Sequence, residues 1–259
     1  MTITPHTIRD ALSLPPGGDP ARRLPKDILA EHGAAHAADR KLIDKVIERL
    51  DWWATLSPAT IGVAAAIDEE RPVPAIQLLA LTARAEPTQR LLTIIHRAIP
   101  VPIILLTALP CGAGTRVSMA PLRRAERIED KMVVERLVVA PDCTDAADPA
   151  TAAFIASLAV PSLPRLNLRL LYDGLIERAD ALEIARLTGQ PFRLADDPAA
   201  RREALARYRE AETAWLAARA AAKREKVLSR QVDRGREVAD ARRSCNVALD
   251  SLRSSFAGD

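Results

Sequence analysis

Apolar residues recur at helical spacing in three stretches of the first 190 residues. In residues 39–50, leucine, isoleucine and valine alternate with charged residues as they do in an amphipathic helix. Residues 88–98 show the same pattern. Helical spacing returns over residues 149–187, with a break at Pro161 and Pro164. These stretches predict the helices of an N-terminal body.

Short apolar runs bounded by turn residues predict strands between these helices. Residues 60–67 and 75–83 flank a charged turn and predict a hairpin. Residues 103–109, 115–120 and 132–139 are further candidate strands. The order of the elements predicts an α+β fold, in which a mixed, mostly antiparallel sheet of about five strands is flanked by helices.

A long polar segment follows this body, which we assign to residues 1–192. Asp197-Pro198 is typical of a helix start, because a capping residue precedes proline at the first helical position, and no proline occurs over residues 199–256. We therefore predict a charged, coiled-coil-like helical arm over residues 197–256. Its apolar stripe is thin and needs a neighbour, so the arm either folds back as an antiparallel hairpin, with a turn near residues 228–235, or pairs with another chain. The stripe supplies these candidate partner-binding residues: Leu205, Trp215, Leu216, Val227, Leu228, Val232, Leu249 and Leu252.

The composition is that of a globular protein, with 48% hydrophobic and 27% charged residues. Aromatic residues make up only 3%, which leaves few rings for stacking on nucleobases. Trp52-Trp53 follows the first predicted helix; we expect it to close the core, and the alternative is a binding anchor. No apolar run approaches the roughly 20 residues of a membrane-spanning helix, and three widely spaced cysteines favour a reducing cytoplasm.

A metal-dependent nuclease is the sharpest catalytic hypothesis. Such an enzyme needs an acidic residue on one strand, and an acid and a lysine two positions apart on the next strand, to hold a divalent ion and support the attacking water. Asp68, Glu69 and Glu70 supply acids, but the following strand, residues 76–81, has neither acid nor lysine. The simpler interpretation is a solvated turn.

Other catalytic patterns are incomplete. His32 and His36 are four residues apart but have no nearby cysteine or third histidine to complete a zinc site. Cys143 lies near acidic residues without a local histidine, which favours an inert thiol over a catalytic one. Residues 111–115 lack the lysine of a phosphate loop. We therefore expect no catalytic residue, no metal and no cofactor.

Basic residues are concentrated in the arm. Between Arg201 and Arg253 there are 14 lysine and arginine residues against 8 aspartate and glutamate residues. Clusters of this kind neutralise phosphates, although they also keep helices soluble. The candidate nucleic-acid-binding residues are Arg219, Lys223, Arg224, Lys226 and Arg230 in the arm, and Arg123, Arg124 and Arg127 in the body.

Several short segments together carry a family resemblance. They are Leu24-Pro25-Lys26, residues 56–61, residues 98–103, Asn167-Leu168 with Leu171-Tyr172, and residues 230–234. In this order and spacing they resemble the bacterial family catalogued as domain of unknown function 4391. The resemblance implies an α/β body with a charged helical C-terminus. It also implies a role beside the helicases and DNA methyltransferases of restriction or phage-defence systems.

From the resemblance and the arm together we expect a non-enzymatic accessory protein. Its arm would contact a protein partner, a helicase or a methyltransferase. The alternatives are a nucleic-acid-binding protein that uses the basic arm and, third, a divergent metal-dependent nuclease.

Overall fold

The computed structural model describes residues 2–15, 22–126 and 132–255, without the side chains of Leu228 and Ser255. Within this described part, the chain clusters into two compact units, Met1–Leu182 and Glu183–Asp259. We describe each unit separately.

The helices and strands have the following bounds. The helices are α1 (Pro5–Ala11), α2 (Lys26–Ile28, continued by a π-helical turn over Leu29–Gly33), α3 (Ala37–Val46), α4 (Pro58–Ile61), α5 (Gln89–Ala98), α6 (Pro149–Ser157), α7 (Leu168–Thr188), α8 (Pro198–Arg224) and α9 (Leu228–Ser255). The strands are β1 (Arg22–Arg23), β2 (Ile47–Leu56), β3 (Ile76–Ala83), β4 (Ile103–Ala108), β5 (Thr115–Met119), β6 (Leu122–Arg124), β7 (Met132–Val134) and β8 (Val138–Val139). Short 3₁₀ turns cover Pro110–Gly112 and Val160–Ser162.

Among the described residues, six strands form one sheet in the order β1-β2-β3-β4-β5-β8, and β6 pairs with β7 in a separate ribbon. Every neighbouring pair in the large sheet is antiparallel except β3 and β4, which α5 connects as a parallel crossover. The predicted α+β class, with a mixed and mostly antiparallel sheet, is confirmed.

Helix α5 forms the centre of the core on one face of this sheet. Its first turn is capped by Thr88, whose hydroxyl accepts a hydrogen bond from the backbone N–H of Leu91 at 3.3 Å. Its apolar face then packs on β3 and β4, where Leu79 and Leu105 are buried. Apolar burial of this kind is the main stabilising contribution to folding.

The helix predicted over residues 39–50 is wrong in its last four residues. The structure ends α3 at Val46, and Ile47 begins β2. A β-bulge between Ile47 and Arg49 shifts the register of β2 against β3, so that Ile47 and Leu50 are both buried although they are three residues apart. The bulge therefore reproduces a helical spacing in a strand.

The hairpin predicted from residues 60–67 and 75–83 is also wrong. Ser57 and Pro58 instead begin the short helix α4, which ends at Ile61 and is followed by Gly62 with a left-handed φ of 65°. After it, only an isolated bridge between Ala66 and Val73 is found in this described stretch. Strand β3 pairs instead with β2 and β4. The single strand predicted over residues 132–139 is divided into β7 and β8, which belong to different sheets.

Helices α8 and α9 of the second unit fold back on each other as an antiparallel hairpin. Leu205 and Tyr208, near the start of α8, pack in one cluster with Cys245 and Leu252, near the end of α9. Residues 225–227 connect the helices, so the turn predicted near residues 228–235 is wrong, and Gly235 lies inside α9. No helix in the described part of the chain is long and apolar enough to cross a membrane.

Candidate functional site

An apolar groove opens on the α5 side of the large sheet and has a volume of about 310 Å³. Its floor is made by side chains of β2 and β3, one wall by the segment that leads into α2, and the other wall by the end of α5. We call it the apolar groove; it is lined by Leu24, Pro25, Ile28, Leu29, His32, Leu50, Trp52, Gln77, Leu79, Ala98, Ile99, Pro100 and Val101.

Both walls are fixed to the sheet by hydrogen bonds. On one side, the backbone N–H of Leu24 donates to the carbonyl of Leu50 at 2.8 Å, and the ammonium group of Lys26 donates to the carbonyl of Ile47. On the other side, the backbone N–H of Gln77 donates to the carbonyl of Pro102 at 2.9 Å. The groove is therefore formed by backbone that is held in place.

Two polar groups of the floor, the indole N–H of Trp52 and the side-chain oxygen of Gln77, are already paired. The indole N–H of Trp52 donates to the carbonyl of Ala54 at 3.0 Å, and the hydroxyl of Thr55 donates to the side-chain oxygen of Gln77 at 2.9 Å. The guanidinium of Arg22 lies over the Trp52 ring, 5.1 Å from its centroid. This places a cation at the edge of an otherwise apolar surface.

A second cavity of about 510 Å³ adjoins the apolar groove, since both are lined by His32, Ala98 and Pro100. Arg97 also lines it, and its guanidinium donates to the carbonyl of Gly33 at 2.9 Å through Nε. No carboxylate among the described residues pairs with Arg97, whose side chain is exposed. Arg97 therefore places a second cation next to the groove.

The turn over residues 33–36, beside this second cavity, is held by a charged pair. The carboxylate of Asp39 accepts from the backbone N–H groups of Ala35 and His36 at 2.9 and 3.2 Å, and Arg90 donates to it at 2.6 Å. The hydrogen bond from Arg90 lowers the pKa of Asp39 below its ordinary value. The turn thus keeps its position as long as Asp39 is ionised.

The second candidate surface is the end of the helical hairpin where α8 and α9 meet. Its five cations are all exposed, and none of them has an ion-pair partner among the described residues. We call this cluster the basic tip; it consists of Arg219, Lys223, Arg224, Lys226 and Arg230. The predicted nucleic-acid-binding residues of the arm therefore lie together in the structure.

Part of the apolar stripe of the arm is covered inside the hairpin, whereas a surface that binds a partner would be exposed. Leu205 and Leu252 are buried inside the hairpin, and Trp215 and Leu249 pack against the same cluster. The exposed stripe residues are Leu216, Val227 and Val232, while the side chain of Leu228 lies outside the described residues.

Tyr208 belongs to the same internal cluster of the hairpin. Its hydroxyl donates to Glu212 at 3.0 Å, and burial together with that carboxylate raises the pKa of Tyr208 to about 12.

A comparison with protein-family models matches residues 12–242 to the family described as domain of unknown function (DUF4391). The chain belongs to this family. No curated protein and no solved structure matches the chain significantly. Two of the segments in which the chain resembles this family, Leu24-Pro25-Lys26 and residues 98–103, meet at the apolar groove although they lie far apart in sequence.

One acid of the nuclease hypothesis, Asp68, is engaged in holding a loop. The carboxylate of Asp68 accepts from the backbone N–H of Arg71 and Glu70, at 2.8 and 2.9 Å, and from Arg169 at 2.7 Å. The backbone hydrogen bond from Arg71 is the main cause that lowers the pKa of Asp68. Within the described residues, no three histidine, cysteine, aspartate or glutamate side chains come together as metal ligands.

The remaining candidates are also separated or covered. His32 lines the apolar groove. His36 lies at the start of α3 instead, where its backbone N–H donates to the carboxylate of Asp39. Cys143 is buried, and the neighbouring Asp142 pairs with Arg116 at 2.7 Å.

The basic cluster predicted in the body is only partly described. The guanidinium of Arg123 lies 3.6 Å from the carboxylate of Glu126, and the backbone N–H of Arg124 donates to the backbone carbonyl of Glu70 at 2.8 Å. Arg127 lies outside the described residues.

Sequence reasoning missed a buried histidine–serine pair. The Nε2 atom of His96 lies 3.0 Å from the hydroxyl of Ser118, and both side chains are fully covered. Burial lowers the pKa of His96 to about 3. The only sequence signal is the position of His96 on the apolar face of α5, four residues after Leu92. Because no substrate reaches this pair, its role is in the core.

Proposed function

We propose that the protein is a non-enzymatic accessory protein that binds a partner protein, and that the apolar groove receives an apolar side chain of that partner. The observation that carries the proposal is an open groove whose lining is almost wholly apolar, and in which the indole N–H of Trp52 and the side-chain oxygen of Gln77 are paired internally. Filling such a groove removes apolar surface from water, which contributes about 25 cal/mol per Å².

The chemistry of the groove favours a protein segment over a polar metabolite. Small-molecule sites combine apolar walls with a few polar groups that converge on the ligand, whereas the indole N–H of Trp52 and the side-chain oxygen of Gln77 are engaged by Ala54 and Thr55. Partner proteins instead bury a few large anchors in pockets. Arg22 and Arg97 add two cations next to the groove. We infer a segment with an apolar anchor flanked by acidic residues.

We propose the class of partner from the resemblance alone. The resemblance implies a setting beside helicases and DNA methyltransferases of restriction or phage-defence systems. We propose such a helicase or methyltransferase as the partner, in a reducing cytoplasm. The exposed stripe residues Leu216, Val227 and Val232 offer a further apolar contact on the arm.

The test uses a matched pair of isoleucine substitutions in the full chain. Ile28 lines the apolar groove and is 36% exposed, whereas Ile67 is 99% exposed and does not line it. Ile28→Asp places a charge at the groove and is expected to reduce capture of a helicase or methyltransferase from the producing cell at least tenfold. Ile67→Asp is expected to leave capture unchanged.

A photo-crosslinking amino acid at Val101, which lines the opposite wall, adds a direct readout. The expected adduct contains a leucine, phenylalanine or similar anchor of the captured partner, close to aspartate or glutamate. Equal capture by Ile28→Asp and wild type, or crosslinks that never reach a helicase or methyltransferase, would overturn the proposal.

A further inference from the structure

We infer that the basic tip binds the phosphate backbone of double-stranded nucleic acid, independently of the protein partner proposed for the apolar groove. The basic tip occupies residues 219–230, where five of twelve residues are cations and one, Glu225, is an acid. This density of charge alone does not identify a ligand. Three features of the structure favour an external phosphate backbone.

The first feature is the contrast between the basic tip and the rest of the hairpin. Away from the tip, most exposed arginines pair with an acid three or four residues away on the same helix. These pairs are Arg207–Glu203, Arg234–Glu237, Arg236–Asp233, Arg243–Asp240 and Arg253–Asp250. The five cations of the basic tip have no such partner among the described residues. Their charge therefore remains available to an external anion.

The second feature is that the single carboxylate of the tip already accepts hydrogen bonds from the backbone. Glu225 accepts hydrogen bonds from the backbone N–H groups of Lys226 and Val227, both at 2.9 Å. The carboxylate therefore fixes the connection between the helices instead of forming a side-chain ion pair with its basic neighbours.

The third feature is the lack of base-reading groups next to these cations in the described part of the tip. The side chain of Gln231 donates to the carbonyl of Glu225 at 2.9 Å, and Trp215 packs against the core of the hairpin. Single-stranded nucleic acid is held largely by stacking on aromatic rings, whereas phosphate contacts hold a duplex without reading its sequence. We therefore infer that the ligand is the phosphate backbone of a duplex.

The number of cations sets the expected salt dependence. Neutralising five phosphates of a duplex gives a slope of log affinity against log salt of about −4.5, since each contact contributes roughly −0.9. Affinity is then expected to fall about 500-fold between 50 and 200 mM salt. A weaker slope would mean that fewer of the five cations reach phosphates.

The experiment measures fluorescence anisotropy of labelled 20-base-pair duplexes of DNA and of RNA, and of single strands, against the full chain over that range of salt. In the tip variant, Arg219, Lys223, Arg224, Lys226 and Arg230 are all changed to glutamine. In the control variant, five exposed arginines elsewhere on the hairpin, Arg207, Arg236, Arg242, Arg243 and Arg253, are changed to glutamine. Both variants lower the formal net charge of +3 by five.

The wild type is expected to bind duplex more tightly than single strand, with the steep slope given above. The tip variant is expected to lose at least 30-fold in affinity and most of the slope, while the control variant stays within about threefold of wild type. The DNA and RNA arms decide which duplex is bound. Far-UV circular dichroism checks that both variants keep their helices.

Three outcomes would overturn the inference: no binding by wild type at 50 mM salt, equal binding by the tip variant, or an equal loss in the control variant. Preferred binding of single strands would contradict the choice of duplex. Ile28→Asp is expected to bind duplex as wild type does. Failure of the apolar groove and failure of the basic tip are therefore separate results.

Discussion

His96 shows how a single residue makes the stability of the body depend on pH. It lies on the buried face of α5 with its Nε2 atom 3.0 Å from the hydroxyl of Ser118. Burial lowers its pKa from 6.5 to about 3, because the protein interior disfavours the charged imidazolium. Between these two values the unfolded chain binds one more proton than the folded chain, so the free energy of unfolding falls as the pH falls.

We expect the free energy of unfolding to decrease by about 1.4 kcal/mol per pH unit once the pH is well below 6.5. Urea unfolding between pH 6 and 5 measures this slope. Carboxylates with lowered pKa, such as Asp39 and Asp68, add their own loss only at lower pH. In His96→Gln, which keeps a partner for Ser118, the slope over this window is expected to disappear. An unchanged slope in this variant would show that another group is responsible.

At the scale of elements, local signals in the sequence identify some helices and strands well. Helix α5 has Thr88 as its cap, and α8 begins at Pro198 after its cap Asp197, whose carboxylate accepts from two backbone N–H groups. Both starts could be predicted, because capping depends only on neighbouring residues. Strand β2 could not, because its bulge, set by pairing with β3, gives Ile47 and Leu50 a helical spacing.

The two candidate surfaces differ in how far the sequence could show them. The clustering of cations in the basic tip is visible in sequence, and so is most of their lack of acidic partners, since only Arg230 has an acid, Asp233, three or four residues away. The apolar groove was not predicted at all. Its walls come from segments far apart in the chain, and Trp52 was placed after a helix instead of on a strand of the floor.

A pair of glycine substitutions tests the helical assignments of the second unit. Gly235 lies in the interior of α9 and Gly189 follows α7 with a left-handed φ of 72°, and an added Cβ meets nothing within 4 Å at either position. Gly235→Ala is expected to raise the free energy of unfolding by about 1 kcal/mol. Gly189→Ala is expected to lower it by about 1 kcal/mol, because alanine is strained there. Thermal unfolding measures both, and a loss of stability in Gly235→Ala would contradict a helix at this position.

At the scale of the whole molecule, the apolar stripe of the arm is covered in part by the arm's own fold-back. The sequence left open whether the stripe serves a hairpin or a second chain. In the structure, Leu205, Cys245 and Leu252 pack within one chain, so the second unit has a small core of its own. The covered part of the stripe therefore contributes to the stability of the single chain, whereas Leu216, Val227 and Val232 stay exposed.

A core within one chain and an interface between two chains predict different effects of protein concentration on unfolding. Leu252 is fully buried and Val247 is 70% exposed on the same helix. Leu252→Ala is expected to lower the free energy of unfolding by about 2–5 kcal/mol, and Val247→Ala to change it by less than about 0.5 kcal/mol. Urea unfolding followed by circular dichroism at several protein concentrations measures both. A midpoint that rises with protein concentration would show that a second chain, not the hairpin, covers Leu252.

The fold-back of α8 and α9 also separates the two ends of the hairpin in space. Gln190 donates to the carbonyl of Arg253 at 3.0 Å, so the last turn of α9 returns to the segment that precedes α8. The 27 residues of α8 extend about 40 Å from there to the connection. With the exposed Cys111 replaced by serine, a fluorophore on a cysteine introduced at position 229 would therefore report on duplex docking, while the same dye at position 251 would remain silent and serve as a reference.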